Sequence, residues 1–531
     1  MKTKRVRWEI FLPPWFIMIA AVILNLANYD LFVETLDSLV KLILNNFSWM
    51  FSGIALLAVL MVITAYLSPF RNVRIGGSKS KPILKYRDYI WVVLCTIMGA
   101  GLMLWACAEP LYHLYYPPSN VAGGALSGDA IIWGMENIFL EWTFTPMAIT
   151  ALPAILFAFC FYNMKKPFAV GSMLTPVLGD KYSRKLTPWV DGICLFCLCA
   201  GLSGSLGSGI MLVSGGIQSL SKGTIPSSVQ LWIISGIAII AAFVTSAASG
   251  LNKGIKTLST INSWFYLVLG MIVFAAGPTA YLLNLCSESI GAYLSDFFKL
   301  SLWTSASTGD GWAQSWPVFY WCMALSWMPV SAVFLGRVSR GYTVREILKV
   351  LFIIPSVFSI VWMVLFSGSS IYYEINGANV MEIMQTQGID AAVYAVLRQL
   401  PLSIIVIPLF LLTAYISYVT SADSNTNAIA GLCTEGLNEE DTESPIWLKI
   451  VWGITVGLVS LIMLIAYDME GMKKLAALGG FPAAILMIFF LVAFWKIMQN
   501  PQKYDTHKED YDPQGKPIPS ARNPVEAPVE K

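Results

Sequence analysis

Charged residues and histidines are scarce in this chain of 531 residues. Asp, Glu, Lys and Arg together make up only 12% of it, and His113 and His507 are its two histidines. A soluble domain carries about 25% charged residues, so the composition excludes an ordinary soluble protein. An embedded enzyme would need a nucleophile, an acid–base pair or a metal constellation within its apolar segments. One histidine near such a segment does not supply that, and we expect no catalytic residues.

A strong net charge and a metal-binding cysteine pattern are also missing. The net charge is +2, which gives no basis for nucleic acid as a partner. Cys194, Cys197 and Cys199 include a C-x-x-C spacing, but a zinc site needs further ligands, and we interpret them as helix-packing residues. The first apolar run has no small-residue cleavage site, so we expect it to be a span. The absence of a repeated filter sequence or an arginine series argues against a channel.

Apolar sequence is what the chain has in abundance: 56% of the residues are hydrophobic, and the mean hydropathy is +0.65. A run of about 20 apolar residues spans a bilayer. Such runs predict an all-α integral membrane protein with twelve transmembrane helices, near 11–31, 48–68, 89–110, 131–162, 189–217, 229–249, 260–284, 317–336, 350–371, 402–422, 447–467 and 475–497. Lys and Arg concentrate in alternate connections, which predicts that both termini are cytoplasmic.

The stretch Trp316–Glu346 combines aromatic residues with an apolar helix and a basic end. Phe319, Tyr320, Trp321 and Trp327 lie on or near one another's helical faces, and an aromatic ring offers its negative face to a cation. A transported cation could bind there. The alternative is that these rings are interfacial belt and packing residues, which is the commoner use of tryptophan in membrane helices.

The amino-acid sequence of this stretch resembles the signature of the betaine/choline/carnitine transporter family. The matching motifs are FYW, the SW that follows it, and RVSRGYTVRE. GLMLWACAEPLYH at 101–113, SGLNKGIKTLSTIN at 249–262 and YVTSADS at 418–424 resemble the same family in the same order. The resemblance implies two inverted, LeuT-like five-helix repeats preceded by two extra helices. The implied units are a cytoplasmic N-terminus 1–10, the extra helices and a loop 11–88, the first repeat 89–286, an outer connection 287–316, the second repeat 317–497 and a cytoplasmic tail 498–531.

The resemblance also implies an aromatic box for a trimethylammonium head, which has no N–H to donate and is held by cation–π attraction. Tyr112 and Trp142 match two of its residues, and Trp321 and Trp327 continue the aromatic pathway. Four expected rings are missing, because their positions hold Met147, Thr150, Met323 and Ala324. Methionine is adaptable and could line a wider pocket. The other interpretation is that the substrate is no longer a fully methylated ammonium.

Two further features bear on the substrate. Gly99 and Gly101 belong to a shortened form of the glycine-rich break in the third span, where exposed backbone N–H groups can receive a carboxylate. Glu141 stands where the family often has histidine, and an ionisable residue within a span is costly and usually functional. It could attract a cationic substrate or take part in proton movement. It could also lie near a helix end and serve structure alone.

A sodium site is implied by the pair Thr420 and Ser421 in YVTSADS. In sodium-coupled members of the family the matching hydroxyls bind Na+ together with backbone carbonyls, which here would belong to Cys95, Met98 and Ser417. Sodium-independent carnitine exchangers place an arginine where this chain has Asn262. A Thr-Ser pair by itself more often bonds back to the previous helical turn.

These features together predict a secondary active transporter that imports a small quaternary-ammonium compound or related zwitterion, with Na+ as the coupling ion and no cofactor. An antiporter of the carnitine/γ-butyrobetaine type is the alternative, and a membrane-embedded enzyme is a more remote one. We expect a multi-pass protein of the bacterial inner membrane, in contact with the lipid bilayer. The resemblance further implies a homotrimer.

Overall fold

The computed structural model describes residues 4–249, 254–438, 441 and 443–519, and helices dominate it. Residues 250–253 of the 249–262 motif, parts of the acidic loop near 440, and the two ends of the chain lie outside the described residues.

The α-helices are α1 Trp8–Ala27, α2 Tyr29–Leu67, α3 Tyr86–Ile97, α4 Ala100–Tyr115, α5 Gly128–Trp142, α6 Phe144–Ala158, α7 Thr175–Leu220, α8 Val229–Ser249, α9 Ile255–Ala276, α10 Thr279–Leu302, α11 Trp312–Ser315, α12 Pro317–Ser326, α13 Met328–Val330, α14 Gly336–Val338, α15 Val344–Leu348, α16 Ile354–Tyr373, α17 Val380–Gln387, α18 Ala391–Arg398, α19 Ser403–Leu432, α20 Ile446–Gln499 and α21 Pro501–Tyr504.

Irregular helical turns and one short strand pair complete the architecture. The 3₁₀ turns are Pro69–Asn72, Val170–Leu174 and Lys508–Asp510, and the π-helical turns are Phe159–Asn163, Ser331–Leu335, Lys349–Ile353 and Glu374–Ala378. Strand β1, Arg5–Val6, pairs antiparallel with β2, Thr434–Glu435. Wide π turns in membrane helices commonly mark functional bends.

Nine helical segments of the described chain are long and apolar enough to cross a membrane. Two further helix pairs, each bent by 51° at a short break, raise the number to eleven. Trp8–Leu24, at the predicted first span, is a shorter apolar helix. The structure therefore supports nine to eleven spans, while the count of twelve and the inverted repeats remain predictions.

One predicted span includes parts of two separate helices. The run 260–284 crosses Gly277 and Pro278, where α9 ends and α10 begins. Proline lacks the backbone N–H that a continuing helix needs, so the chain turns at this point. As a result, the first part of the predicted outer connection 287–316 belongs to the 24-residue helix α10.

The N-terminus and several connections meet on one face of the molecule. The β1–β2 pair joins the N-terminus to the end of α19, and Lys4 contacts Asp441 at 2.7 Å. The Gly341 N–H donates to the Ile75 carbonyl at 2.9 Å, which joins the connection between α14 and α15 to the one before α3. These segments carry many of the basic residues from which a cytoplasmic location is predicted, and that location stays a prediction.

The C-terminal tail docks on the same face. Its composition, rich in proline and mixed charge, cannot bury an apolar core of its own. Asp505 is nevertheless 1% exposed and accepts hydrogen bonds from Asn163 and Tyr511, each at 2.8 Å. The Thr506 N–H donates to the Asn163 carbonyl at 3.0 Å, and the Ser78 N–H donates to Asp510 at 2.7 Å. Hydrogen bonds therefore hold the described part of this tail in place without an apolar core. Composition alone does not predict this docking.

Glu443 bridges two basic residues on this face, 2.8 Å from Arg337 and 3.0 Å from Lys449. Burial alone would raise the pKa of Glu443, but the two positive charges outweigh it and hold the pKa at about 2. The ordinary value is 4.5. A carboxylate with a lowered pKa stabilises the fold above its ordinary value, and this stabilisation is lost as the pH falls toward 2.

Glu443→Gln is therefore expected to lower the melting temperature by about 2 °C at pH 7, because a partly exposed ion pair contributes modestly. The difference from the wild type should shrink between pH 5 and pH 3. Thermal unfolding in detergent at pH 7, 5 and 3 measures it, with the exposed Glu382→Gln as control. An equal difference at all three values would contradict the bridge.

Candidate functional site

A break in the third predicted span opens the centre of the molecule. Helices α3 and α4 meet at Gly99, whose φ of −41° and ψ of −154° are not helical. A Cβ at Gly99 would lie 3.0 Å from Ser421 Oγ, and one at Gly101 would lie 3.0 Å from Trp142 Cη2. These glycines let α19 and the Trp142 ring approach the backbone closely, which is the use of small residues in membrane helix packing.

A cavity of about 1100 Å³, counting its opening, lies beside this break. It is enclosed by α3 to α7 and by the bent pair around α12. The lining comprises Thr96, Ile97, Gly99, Gly101, Leu102, Trp105, Glu141, Trp142, Pro146, Met147, Thr150, Gly201, Gly204, Ser205, Ser208, Phe319, Tyr320, Met323, Ala324, Trp327, Ser331 and Leu335. Seven residues predicted to bind substrate or carry charge are among them: Gly99, Gly101, Glu141, Trp142, Met147, Met323 and Trp327.

The four positions without the expected rings all face this cavity: Met147, Thr150, Met323 and Ala324. Five aromatic side chains line it from other positions: Trp105, Trp142, Phe319, Tyr320 and Trp327. The cavity is therefore still aromatic, and its ring surface is offered to a ligand from different directions. Ring faces attract cations, and the thioethers add adaptable apolar contact.

Tyr112 and Trp321 are not on the cavity lining that the described residues form. The Tyr112 ring is 5.7 Å from the Trp316 ring, and neither ring belongs to the lining. Trp321 is fully buried between helices. On a helix, positions 320, 323, 324 and 327 share a face, whereas position 321 is turned by about 100° from position 320.

Glu109, which the motif analysis did not single out, holds two rings of the cavity. The Trp142 Nε1–H donates to Glu109 Oε2 at 2.9 Å, and the Tyr320 hydroxyl donates to the same oxygen. The two rings lie 5.0 Å apart, edge to face. A buried carboxylate that accepts such hydrogen bonds fixes the orientation of both rings.

Glu109 also belongs to a buried cluster with His113 and Glu141. One ligand atom of each lies within 4.8 Å of the others, and each residue is at most 1% exposed. His113 Nε2 is 3.5 Å from Glu109 Oε1. Glutamate and histidine four residues apart in an apolar run share a helical face, and this spacing could have revealed the pair in the sequence. The cluster concentrates carboxylates beside the cavity, which favours a cation there.

The residues predicted to bind sodium lie where α3, α9 and α19 meet. Ser421 Oγ is buried without a hydrogen-bond partner among the described residues, next to Gly99. Ser417 Oγ is 2.8 Å from the Tyr266 hydroxyl and accepts from Asn262 at 2.9 Å. The Tyr266 hydroxyl also donates to the Met98 carbonyl at 3.5 Å.

Thr420 and Cys95 have protein partners as well, although the predicted ligand atom of Cys95 is its carbonyl oxygen and the contact observed is made by its thiol. Thr420 Oγ1 bonds back to the carbonyls of Ile416 and Ser417 at 3.0 and 3.1 Å, as an ordinary helical threonine does. The Cys95 thiol donates to the Ser259 carbonyl at 3.4 Å. An orphaned hydroxyl beside a helix break fits a small cation, and a rotation of Thr420 would be needed to complete the set.

A multi-pass helical protein with broken helices around a central cavity has the architecture of a secondary transporter. Residues 9–503 match the family described as "BCCT, betaine/carnitine/choline family transporter". The chain therefore belongs to that family, and it is a multi-pass membrane transporter and not an enzyme.

The chain is similar to several characterised relatives. It is 27% identical to the ectoine/hydroxyectoine transporter of Virgibacillus pantothenticus, over 93% of this chain and 97% of that protein. It is 26% identical to the glycine betaine transporter OpuD of Bacillus subtilis, over 93% and 94%, and 26% identical to the osmo-independent choline transporter BetT1 of Acinetobacter baylyi, over 85% and 86%. A solved Na+-coupled sialic acid symporter aligns over 83% of this chain and 86% of its own, with 10% identity and a TM-score of 0.46.

Proposed function

We propose that the protein imports a small quaternary-ammonium compound or related zwitterion, such as a betaine, choline, carnitine or ectoine, by Na+-coupled alternating access. The observation that carries this proposal is the aromatic cavity beside the α3–α4 break, with the buried Glu141 among its lining residues. Rings attract the positive head by cation–π interaction, and the carboxylate adds electrostatic attraction.

The broken helix gives the other end of a zwitterion a place to bind. Helix α4 begins at Ala100, and Gly99 and Gly101 lie on the cavity lining. The first N–H groups of a helix have no partner within the helix, and the helix dipole favours an anion there. A substrate carboxylate would bind at this end while the ammonium head faces the rings.

The two bent helix pairs are the elements that would move during transport. Each is bent by 51° at a short break, one at Gly99 and the other after Trp327. In transporters with broken helices, the access change is a rocking of one helix bundle around a fixed central site. Na+ at Ser421, Thr420 and the carbonyls of Cys95, Met98 and Ser417 would join α3 to α19 and so favour one of the two arrangements.

The sodium proposal predicts that the double variant Thr420→Ala, Ser421→Ala loses at least about 90% of gradient-driven uptake, because two hydroxyl ligands are removed. Uptake of labelled glycine betaine, choline, carnitine and γ-butyrobetaine into proteoliposomes, with and without an inward Na+ gradient, measures it. Thr426→Ala is the matched control, since within the described part of the chain its hydroxyl bonds back to the Ala422 carbonyl of the preceding turn.

The same experiment distinguishes Na+-coupled symport from the alternative, which is Na+-independent exchange. Uptake that ignores Na+ but requires substrate inside the vesicles would establish exchange of the carnitine type. The uncharged Asn262, which donates to Ser417 at 2.9 Å, supports symport over exchange because it leaves the site without a permanent positive charge.

The proposal also covers localisation and assembly. The positive-inside pattern supports a cell-membrane protein with both termini in the cytoplasm. The homotrimer is implied by family resemblance. Accessibility labelling of single cysteines tests the first, and mass measurement in a nanodisc tests the second.

A further inference from the structure

A separate pocket lies at the predicted outer ends of two membrane-crossing segments. Its volume is about 1130 Å³, counting its opening, and it lies where α7, α17 and α18 end and α19 begins. We propose that this outer basic pocket, which Lys222 and Arg398 line, binds the phosphate head group of an anionic phospholipid in the outer leaflet of the membrane. Such a site does not depend on which substrate is transported.

The charge of the lining favours an anion. Among the described residues that line the pocket, Lys222 and Arg398 are positive and none is acidic. Asp390, which precedes α18, is 2% exposed, and its carboxylate lies against Gly215 instead of on the lining. Basic residues are scarce in the outer segments of membrane proteins. The predicted outer segments hold six of them, and two of the six meet in this one pocket: Lys41, Lys222, Lys299, Arg398, Lys473 and Lys474.

Both cations have donors to offer a phosphate. Arg398 Nη2 donates to the Ser219 carbonyl at 3.3 Å and to the Ser219 hydroxyl at 3.1 Å, which orients the guanidinium. A guanidinium carries five N–H donors, and its fork matches the spacing of phosphate oxygens. Lys222 is exposed and takes part in no salt bridge among the described residues. Its ammonium can therefore face the same head group.

The first turn of α19 adds a third source of positive potential. Helix α19 begins at Ser403, which lies on the pocket lining, and the residue before it, Leu402, has no side chain that could cap the helix. The first N–H groups of a helix have no partner within the helix, and the helix dipole favours an anion there. Two cations and an uncapped helix end thus converge on one pocket.

Apolar side chains around the pocket favour a lipid over a free phosphate ion. Leu220, Ile404 and Ile407 line it, and Ile404 is 84% exposed. Leu402 and Ile405 beside it are also exposed. Helices α7 and α19 belong to segments apolar enough to cross a membrane, so their ends lie where acyl chains meet head groups. The phosphate would contact the cations while the acyl chains cover the isoleucines. A lipid bound here would join α7 to α19, which belong to different predicted repeats.

Photo-crosslinking tests the site directly. The full-length protein, purified in detergent, is incubated with phosphatidylglycerol that carries a photoreactive group on its head, and peptide mass spectrometry locates the label. We expect label within residues 218–223 and 398–407. Unlabelled phosphatidylglycerol should suppress it at a concentration at least about tenfold lower than phosphatidylcholine does, because only the former carries a net negative charge.

Variants separate the contribution of each cation. Arg398→Gln and Lys222→Gln should each reduce the label at this pocket by about fivefold, while Arg398→Lys, which keeps the charge, should retain most of it. Lys299→Gln is the matched control, since Lys299 is an exposed basic residue of another outer segment, 2.9 Å from Asp296 and off the lining. If Arg398→Gln does not fold, Lys222→Gln decides, because Lys222 has no salt bridge to lose.

Three results would overturn the proposal. The first is label that is absent from both segments or unchanged in Lys222→Gln. The second is equal suppression by phosphatidylcholine, which would show that the pocket does not distinguish charge. The third is suppression by inorganic phosphate at the same concentration as by phosphatidylglycerol, which would make the pocket a site for a free anion.

Discussion

Gly480→Ala is expected to lower the melting temperature by about 5–10 °C, because the new methyl group would enter the backbone of a neighbouring helix. A Cβ at Gly480 would lie 2.6 Å from Cys322 Cα and 2.7 Å from the Cys322 carbonyl carbon. Real Cβ atoms do not approach so closely, and backbone cannot rotate away as a flexible side chain can. Helices α12 and α20 would have to separate, which distorts the wall of the cavity.

Gly53→Ala is the matched control, since no atom lies within 4 Å of a Cβ added there. Gly53 is inside helix α2, where alanine is favoured over glycine by about 1 kcal/mol. Its melting temperature should therefore stay level or rise. Fluorescence-detected unfolding in detergent compares the two variants. A normal melting temperature for Gly480→Ala would show that α12 and α20 are packed less tightly than described here.

Glu109→Leu is expected to weaken substrate binding by about 10- to 100-fold. Leucine removes the acceptor shared by the Trp142 Nε1–H and the Tyr320 hydroxyl, so two buried donors lose their partner. The rings would then turn toward other acceptors and no longer present a fixed surface to the ligand. Glu109 acts through these rings, and we regard it as a positioning residue.

The conservative Glu109→Gln keeps an oxygen acceptor and should recover most of the affinity, which a merely space-filling role would not predict. Phenylalanine at Trp142 needs no acceptor. The combination of Glu109→Leu with Trp142→Phe should therefore cost less than the sum of the single changes. Titration with substrate, followed by fluorescence, gives all four affinities. Additive losses would contradict the positioning role.

The sequence predicts the cavity well where the signal is local. The short run from Ile97 to Gly101 identifies the break, and helical periodicity in α12 brings Tyr320, Met323 and Trp327 to one wall. The same periodicity explains why Trp321 points elsewhere. Tyr112 is eleven residues beyond Gly101, about 16 Å along the helix, and lies off the cavity lining, so its role in binding stays a prediction.

Contacts between distant helices could not be predicted. Glu109 and His113 show as an i, i+4 pair of polar residues, but their meeting with Glu141 requires α4 and α5 to pack in one register. The donor from Trp142 comes from α5 as well, and the donor from Tyr320 comes from a third helix, α12. Trp105 gave no signal, because one tryptophan in an apolar run is common in membrane helices.

The docked tail has a practical consequence for anyone who studies this protein with a fluorescent reporter. Asp505 and Thr506 hydrogen-bond to Asn163, whose side chain also accepts from the Gly76 N–H and donates to the Arg74 carbonyl. A fusion joined at Gln502 would strip these bonds and loosen the connection before α3. A fusion joined after Ile518 would keep them, so the junction chosen for a reporter decides whether the native protein or a damaged one is observed.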